Sequence, residues 1–260
     1  MDRNWAGPGL PATTPVRGTV AGAGSAVVRV LRRLGRHREP GVVLLEGPRV
    51  IEEAVACGVW LELLAVAEGV TFDAPAERRV TLGPRALHAV SQTVTSQGVL
   101  AIARHREAQP GEAALTAVEA GWPLLVLDAV QDPGNVGTIC RTAAAAGAPA
   151  VVVLEGGADP FGPKAVRASA GTVFRLKVAR GTWRDLDHLG GYGAVPSGGV
   201  PPEDIDPARA RLLALGGEVH GLRRHDLEPV SIPMTPGVES LNVAAATAVL
   251  LFEIRRKLTG

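Results

Sequence analysis

Apolar and polar positions along the chain fall into short runs that alternate between strand and helix patterns. The run 124–127 is continuously apolar, as a strand covered on both faces must be, and it stops at Asp128. Asp132, Pro133 and Gly134 supply turn chemistry, and Asn135 then reads as the N-cap of a helix reaching about residue 146. Gly147 ends that helix and 151–154 resumes the sheet, completing a β-α-β unit. Upstream, 26–34 has apolar residues at helical spacing with arginines between them, and 42–45 is a strand ending at Glu46. Gly47 and Pro48 turn the chain into a helix at 49–57, followed by strands at 61–66 and 79–82, a helix at 85–90 and a strand at 98–103. Downstream, a turn cluster at 156–162 leads to a helix at 163–170 and a strand at 173–178. Thr182 then caps a helix at 183–189, strands follow at 192–195, 212–215 and 230–232, and a long helix covers 241–257.

This order predicts an α/β protein of two domains. Residues 1–24, rich in Gly, Pro, Ala and Thr without periodicity, read as a flexible basic tail. A compact α/β/α module covers 25–107, the polar stretch around Gln109, Pro110 and Gly111 marks a linker at 108–120, and a larger domain with a parallel sheet between helices covers 121–260. Pattern alone describes that larger domain as an ordinary doubly wound sheet.

At 260 residues and 46% hydrophobic, the chain has enough apolar material for real cores. A net charge of +1 argues neither for nor against a polyanionic partner, but its distribution says more. Residues 1–38 carry seven arginines against the single acid Asp2, a segment usable on phosphates or, more blandly, a solvated arm with a helix behind it. Cys57 and Cys140 lie far apart without histidines at ligand spacing, so neither a zinc site nor a disulfide framework follows, and no metal is expected. No apolar stretch reaches membrane length, and the first fifteen residues lack the layout of a signal peptide, which points to a cytoplasmic protein.

Three polar loops follow strand ends, at 131–141, 216–221 and 233–242. Ligands of open parallel sheets bind at that edge. Gly216, Gly217 and Gly221 read either as tight turns or as backbone that a flat ligand approaches closely. Ser240 reads as a helix N-cap, and Asn242, a poor helix former, falls one turn inside the final helix. Arg141 lies two turns into a helix of alanine and threonine, where it forms a structural ion pair or serves the site. The alanines at 244–246 and 248 keep the last helix thin for close packing, within the fold or across a dimer interface. No phosphate loop of the form GxxxxGK[ST] and no GxSxG elbow occurs, and the glycines at 22 and 24 follow no strand, which disfavours nucleotide hydrolysis, serine esterase chemistry and a Rossmann site there.

In this order the loops resemble the SpoU (TrmH-type) branch of the SPOUT RNA methyltransferases. DPGNVGTICRTAAAAG (132–147) is similar to the family's first motif, LALGGEVHGL (213–222) to its second and SIPMTPGVESLNVAAATAVLLFE (231–253) to its third. LLEGPRVIEEAV (44–55) and SQGVLAIA (96–103) resemble its N-terminal, ribosomal-protein-like RNA-binding module, and 158–176 matches a subgroup acting on ribosomal RNA. Gly217 departs from the pattern, since many members carry Asn, Ser or Ala before the glutamate.

The resemblance implies a deep trefoil knot in the C-terminal domain, S-adenosylmethionine as cofactor, a homodimer, and methyl transfer to a ribose 2′-hydroxyl of RNA. Large-subunit ribosomal RNA is the expected substrate, in ribosome maturation or in self-protection against an antibiotic. A tRNA-directed enzyme of the same family and an inactive RNA-binding assembly factor are the alternatives. By the same resemblance Arg141, Asn135, Glu218, Ser240 and Asn242 form the catalytic wall, some of them from a partner subunit. Leu215, Gly216, Gly221, Ile232, Met234 and Leu241 are expected to hold the cofactor, and Arg32, Arg33, Arg36, Glu46, Arg49, Lys164 and Arg167 the RNA.

Overall fold

The structure is a computed structural model that describes residues 20–93, 95–218 and 221–260. Two compact units divide the chain at residues 106 and 107.

The first unit contains β1 (Val20–Ala21), α1 (Ala26–Arg36), β2 (Val42–Glu46), α2 (Pro48–Ala56), β3 (Trp60–Ala67), β4 (Arg78–Leu82), α3 (Pro84–Val90) and β5 (Val99–Arg104). Its sheet has the order β1-β4-β3-β5-β2, parallel between β1, β4 and β3 and antiparallel where β5 joins β3 and β2. The short β1 lies inside the segment expected to be a flexible tail, because Val20 and Ala21 extend the sheet beside Thr81 and Leu82. The rest of that expected tail, 1–19, lies outside the described residues. The Ser25 hydroxyl caps α1 by accepting the Val28 N–H at 3.3 Å. Val27, Val28, Val30, Leu31 and Leu34 bury one face of α1 against Leu44, Leu63, Leu82 and Leu100. Arg29, Arg32, Arg33 and Arg36 occupy the exposed opposite face, at the i, i+3, i+4, i+7 spacing of a single helical stripe.

The second unit begins with a correction. The segment expected as a linker folds as α4 (Pro110–Glu119), with Ala113, Ala114 and Ala117 buried. Its Gln-Pro-Gly opening is a helix start: Pro110 sits in the first turn, and the Glu112 carboxylate accepts the Gln109 N–H at 2.7 Å. β6 (Leu124–Asp128), α5 (Pro133–Ala146), β7 (Ala150–Leu154), α6 (Pro163–Ala168), β8 (Lys177–Gly181), β9 (Gly191–Ala194), β10 (Leu212–Gly216), β11 (Glu228–Val230) and α7 (Val243–Thr259) follow. All pairings in this six-stranded sheet are parallel, in the order β11-β9-β10-β6-β7-β8. Every strand therefore ends on the same edge, with the reversal of strand order beside β6 and β10.

Several expected boundaries shift. The strand read at 173–178 is a 3-10 turn, Thr172–Arg175, followed by β8; Val173 and Phe174 are both buried although consecutive, as a turn allows, and Phe174 packs on Phe161 with ring centroids 6.0 Å apart. The helix read at 183–189 is only a single 3-10 turn, Trp183–Leu186, started by Thr182 and Asp185. β11 ends before Ile232, which leaves that residue in the following loop. Gly137 lets α5 and α6 touch, since a Cβ there would stand 2.2 Å from the Ala165 carbonyl oxygen.

Candidate functional site

At the carboxyl edge of the second sheet, a pocket of about 310 Å³ opens between the loops that follow β9, β10 and β11 and the start of α7. Leu215, Gly216, Gly221, Ile232, Met234 and Leu241, all six residues expected at the cofactor, line it. Glu218 and Ser240 of the expected catalytic wall line it as well. The walls are largely apolar, with a few polar groups and glycine backbone at one side, the usual composition of a small-molecule site.

Close backbone packing shapes the glycine side. A Cβ on Gly216 would fall 2.1 Å from the Gly221 carbonyl carbon, and one on Gly217 would fall 2.2 Å from the Ala129 carbonyl oxygen. Gly217, the residue that departs from the resemblance, is thus demanded by a neighbour. Ala129 bulges into that space in the left-handed region, at φ 57°.

A hydrogen-bonded polar cluster stands beside Glu218. The Asn135 side-chain amide donates to Glu218 Oε1 at 2.5 Å, and its carbonyl oxygen accepts from Asn242 Nδ2 at 3.2 Å. Two cap assignments change here. Asp132, not Asn135, caps α5, its carboxylate accepting the Asn135 N–H at 2.9 Å. Asn242, expected inside the last helix, stands instead at its start: it, and not Ser240, caps α7 by accepting the Ala244 N–H at 2.9 Å. Asn135 sits in the first turn of α5 with its side chain free to bridge. Lys164 joins the cluster through Asp132, 2.8 Å away. That ammonium, together with the Asn135 N–H, holds the Asp132 carboxyl below the usual carboxylate range.

Arg141 is not brought to this cluster. It is exposed on α5, six residues beyond Asn135 and therefore about 9 Å further along the helix axis. No ion pair engages it among the described residues, so the alternative of a structural salt bridge is not realised.

The residues expected on RNA divide in the same way. Arg32, Arg33 and Arg36 lie on the exposed stripe of α1, Arg33 paired with Glu39 at 2.8 Å, and Arg49 is exposed on α2. Lys164 is exposed and Arg167 half-buried on α6. Glu46 departs from the expectation of RNA contact. Only 6% exposed, its carboxylate accepts from the Ser91 hydroxyl at 2.6 Å, the Gln92 N–H at 3.0 Å and the Thr93 hydroxyl at 3.0 Å. It shapes the 91–93 loop from beneath and presents no free oxygen to a ligand.

The sequence profile of the SpoU rRNA Methylase family matches residues 123–252, which contain the pocket and the polar cluster. The 23S rRNA (guanosine(2553)-2'-O)-methyltransferase RlmP of Bacillus subtilis is 33% identical over 225 residues, 82% of this chain and 88% of that protein. The chain belongs to the SpoU rRNA Methylase family. Among solved structures, the AdoMet-bound rRNA methyltransferase of Sinorhizobium meliloti superposes with a TM-score of 0.78 at 27% identity, covering 93% of this chain and 99% of that one. The SpoU methyltransferase AviRb of Streptomyces viridochromogenes, solved with AdoMet, gives 0.78 at 25% identity over 91% and 99% of the two chains. Sequence reasoning missed the part of this SpoU pocket formed by Ala194, Val195 and Pro196. The strand at 192–195 is legible, but its end carries no charged residue to flag it. Val243, Ala246 and Leu250 of α7 are equally silent, being core-type residues that face the pocket.

Proposed function

We propose that this SpoU-family protein transfers a methyl group from S-adenosylmethionine to a ribose 2′-hydroxyl of ribosomal RNA. The observation that carries the reading is the polar cluster of Asn135, Glu218 and Asn242 at an apolar, glycine-sided pocket. The pocket suits the cofactor: Gly216 and Gly221 leave no side chain between backbone and ligand, Ile232 and Leu241 give apolar faces, and Met234 stands beside them. When bound, S-adenosylmethionine supplies an electrophilic methyl group on a sulfonium sulfur.

A ribose hydroxyl is a weak nucleophile that needs its developing negative charge held. An arginine guanidinium is always cationic, so Arg141 stabilises that charge and holds a neighbouring phosphate rather than acting as a base. Asn135 is kept in place by Glu218 and Asn242 and orients the nucleotide, with Ser240 on the same wall. Lys164 and Arg167 lie on the short α6 beside this wall and meet the RNA backbone, as do Arg32, Arg33, Arg36 and Arg49 of the first unit, an RNA-binding module.

The protein acts as a homodimer in which Arg141 reaches the site of the partner copy. Two features support this: Arg141 stands apart from its own cluster, and Ala245, Val249 and Phe252 form an exposed apolar stripe on α7, which packs beside α5. The C-terminal half is threaded as a trefoil knot. In support, the described residues line one pocket from three stretches, 194–196, 215–218 with Gly221, and 230–243, before α7 returns to α5. Its substrate makes the cytoplasm its place of work, and no helix among the described residues is long and apolar enough to cross a membrane.

Purified protein given labelled S-adenosylmethionine and ribosomal RNA should leave label in an alkali-resistant, 2′-O-methylated dinucleotide. Arg141→Ala should slow transfer about a hundred- to a thousandfold while leaving cofactor binding intact. Label on a base, or an unchanged rate in the variant, refutes the assignment.

A further inference from the structure

The most completely bonded buried charge in the second unit lies just outside the pocket. Asp128, the last residue of β6, is fully buried. Its Oδ2 accepts from Trp183 Nε1 at 3.0 Å and from the backbone N–H of Arg223 at 2.7 Å, while Oδ1 accepts from Arg223 Nε at 2.6 Å. The Asp128 backbone carbonyl also accepts the Gly217 N–H at 2.8 Å. One residue therefore holds both Gly217, where the chain leaves β10, and Arg223 beyond Gly221. Arg223 carries the tie onward by donating to the Glu155 carbonyl oxygen at 2.8 Å. Trp183, the other donor, is itself stacked under Arg224, whose guanidinium carbon lies 5.4 Å from the ring centroid.

None of Asp128, Trp183 and Arg223 lines the pocket, whereas Gly217, Glu218 and Gly221 do. A buried ion pair contributes little net stability compared with well-packed apolar groups, because desolvation offsets the attraction. What it does supply is a fixed geometry. We propose that Asp128 is a positioning residue that, through Arg223 and Trp183, holds Gly221 at the pocket in the position that receives the cofactor and, through its main chain, places Gly217 so that Glu218 is presented to Asn135. The proposal rests on the reading of the pocket as the S-adenosylmethionine site.

Releasing the mooring leaves only a fraction of molecules with a competent loop, and apparent affinity falls by that fraction. Saturating cofactor reselects the competent form, so turnover recovers. Asp128→Asn keeps the shape and removes the charge-assisted bonds; the expected result is cofactor binding about ten- to a hundredfold weaker by calorimetry. At saturating cofactor, kcat should stay within about threefold of the native value. Arg223→Gln should share the shift, and Arg223→Lys, which keeps the charge beside Asp128, should recover part of it.

Amide exchange provides a readout independent of the cofactor: in Asp128→Asn and Arg223→Gln the N–H at position 223 should lose protection, while the Gly217 N–H, held by the Asp128 main chain, and the β6 and β7 amides keep theirs. Unchanged protection in both variants overturns the proposal. So does a lower kcat with unchanged cofactor affinity, the mark of a merely structural role. A native protein that binds no S-adenosylmethionine refutes the functional reading instead, and the exchange experiment then still decides whether Asp128 holds Arg223 in place.

Discussion

The arginine stripe of α1 makes a quantitative claim about how the protein holds RNA. Arg29, Arg32 and Arg36 are exposed along one face, the first and last seven positions apart, about 10 Å of helix, while Arg33 is engaged by Glu39. Each cation that neutralises a phosphate releases condensed counterions and contributes about −0.7 to −0.9 to the slope of log K against log salt. Replacing Arg29, Arg32 and Arg36 together by Gln should therefore flatten the slope by about 2.1 to 2.7. Between about 50 and about 200 mM salt, the native protein should lose roughly twenty- to fortyfold more affinity than the variant. The apolar face of α1 is untouched, so the melting temperature should hold and any loss of binding is not a loss of fold. Fluorescence anisotropy of a labelled ribosomal RNA fragment, titrated across that salt range, measures both lines. Parallel lines refute the reasoning, since these arginines would then be solvated charges that meet no phosphate.

Two further outcomes follow from the packing. Gly216→Ala forces a methyl group into the Gly221 backbone, which cannot yield as a side chain would; overpacking of this kind costs about 1–3 kcal/mol, and calorimetry should find cofactor binding weakened by about tenfold or more. Burial pushes the Cys140 thiol up to about 12, so a thiol reagent near pH 8 should leave it unmodified until the protein is unfolded. Its neutral form is favoured in the folded state, so stability from this group is intact below the ordinary thiol pKa of about 9 and is lost as pH rises through that value towards 12, measurable as a falling urea midpoint.

Legibility in the sequence follows the strength of local signals. The β-α-β around 124–154 is plain because a continuous apolar run, a turn cluster and a terminating glycine all point to one arrangement. The loops expected at the cofactor are legible from motif resemblance, and the six residues named there meet in one pocket. Helix α4 is easily misread because Gln109, Pro110 and Gly111 serve equally in a linker and in a helix start, and its buried residues are alanines with weak hydrophobic contrast. Glu46 misleads because a glutamate at a strand end looks alike whether it faces solvent or is sealed by Ser91, Gln92 and Thr93, which lie 45 to 47 residues away. The Asp128 to Arg223 tie joins residues 95 apart, a separation at which sequence spacing carries no information.

The placement of α7 bears on when the protein becomes competent during its own synthesis. The pocket needs Val243, Ala246 and Leu250 for one wall, and Asn242 for the hydrogen bond to Asn135, yet these residues are made after every strand of the sheet. A nascent chain can complete β6, α5 and β7 early, but the pocket lacks this wall until α7 has been made. A ligand that fills the pocket would therefore favour the docking of α7 over any earlier folding step.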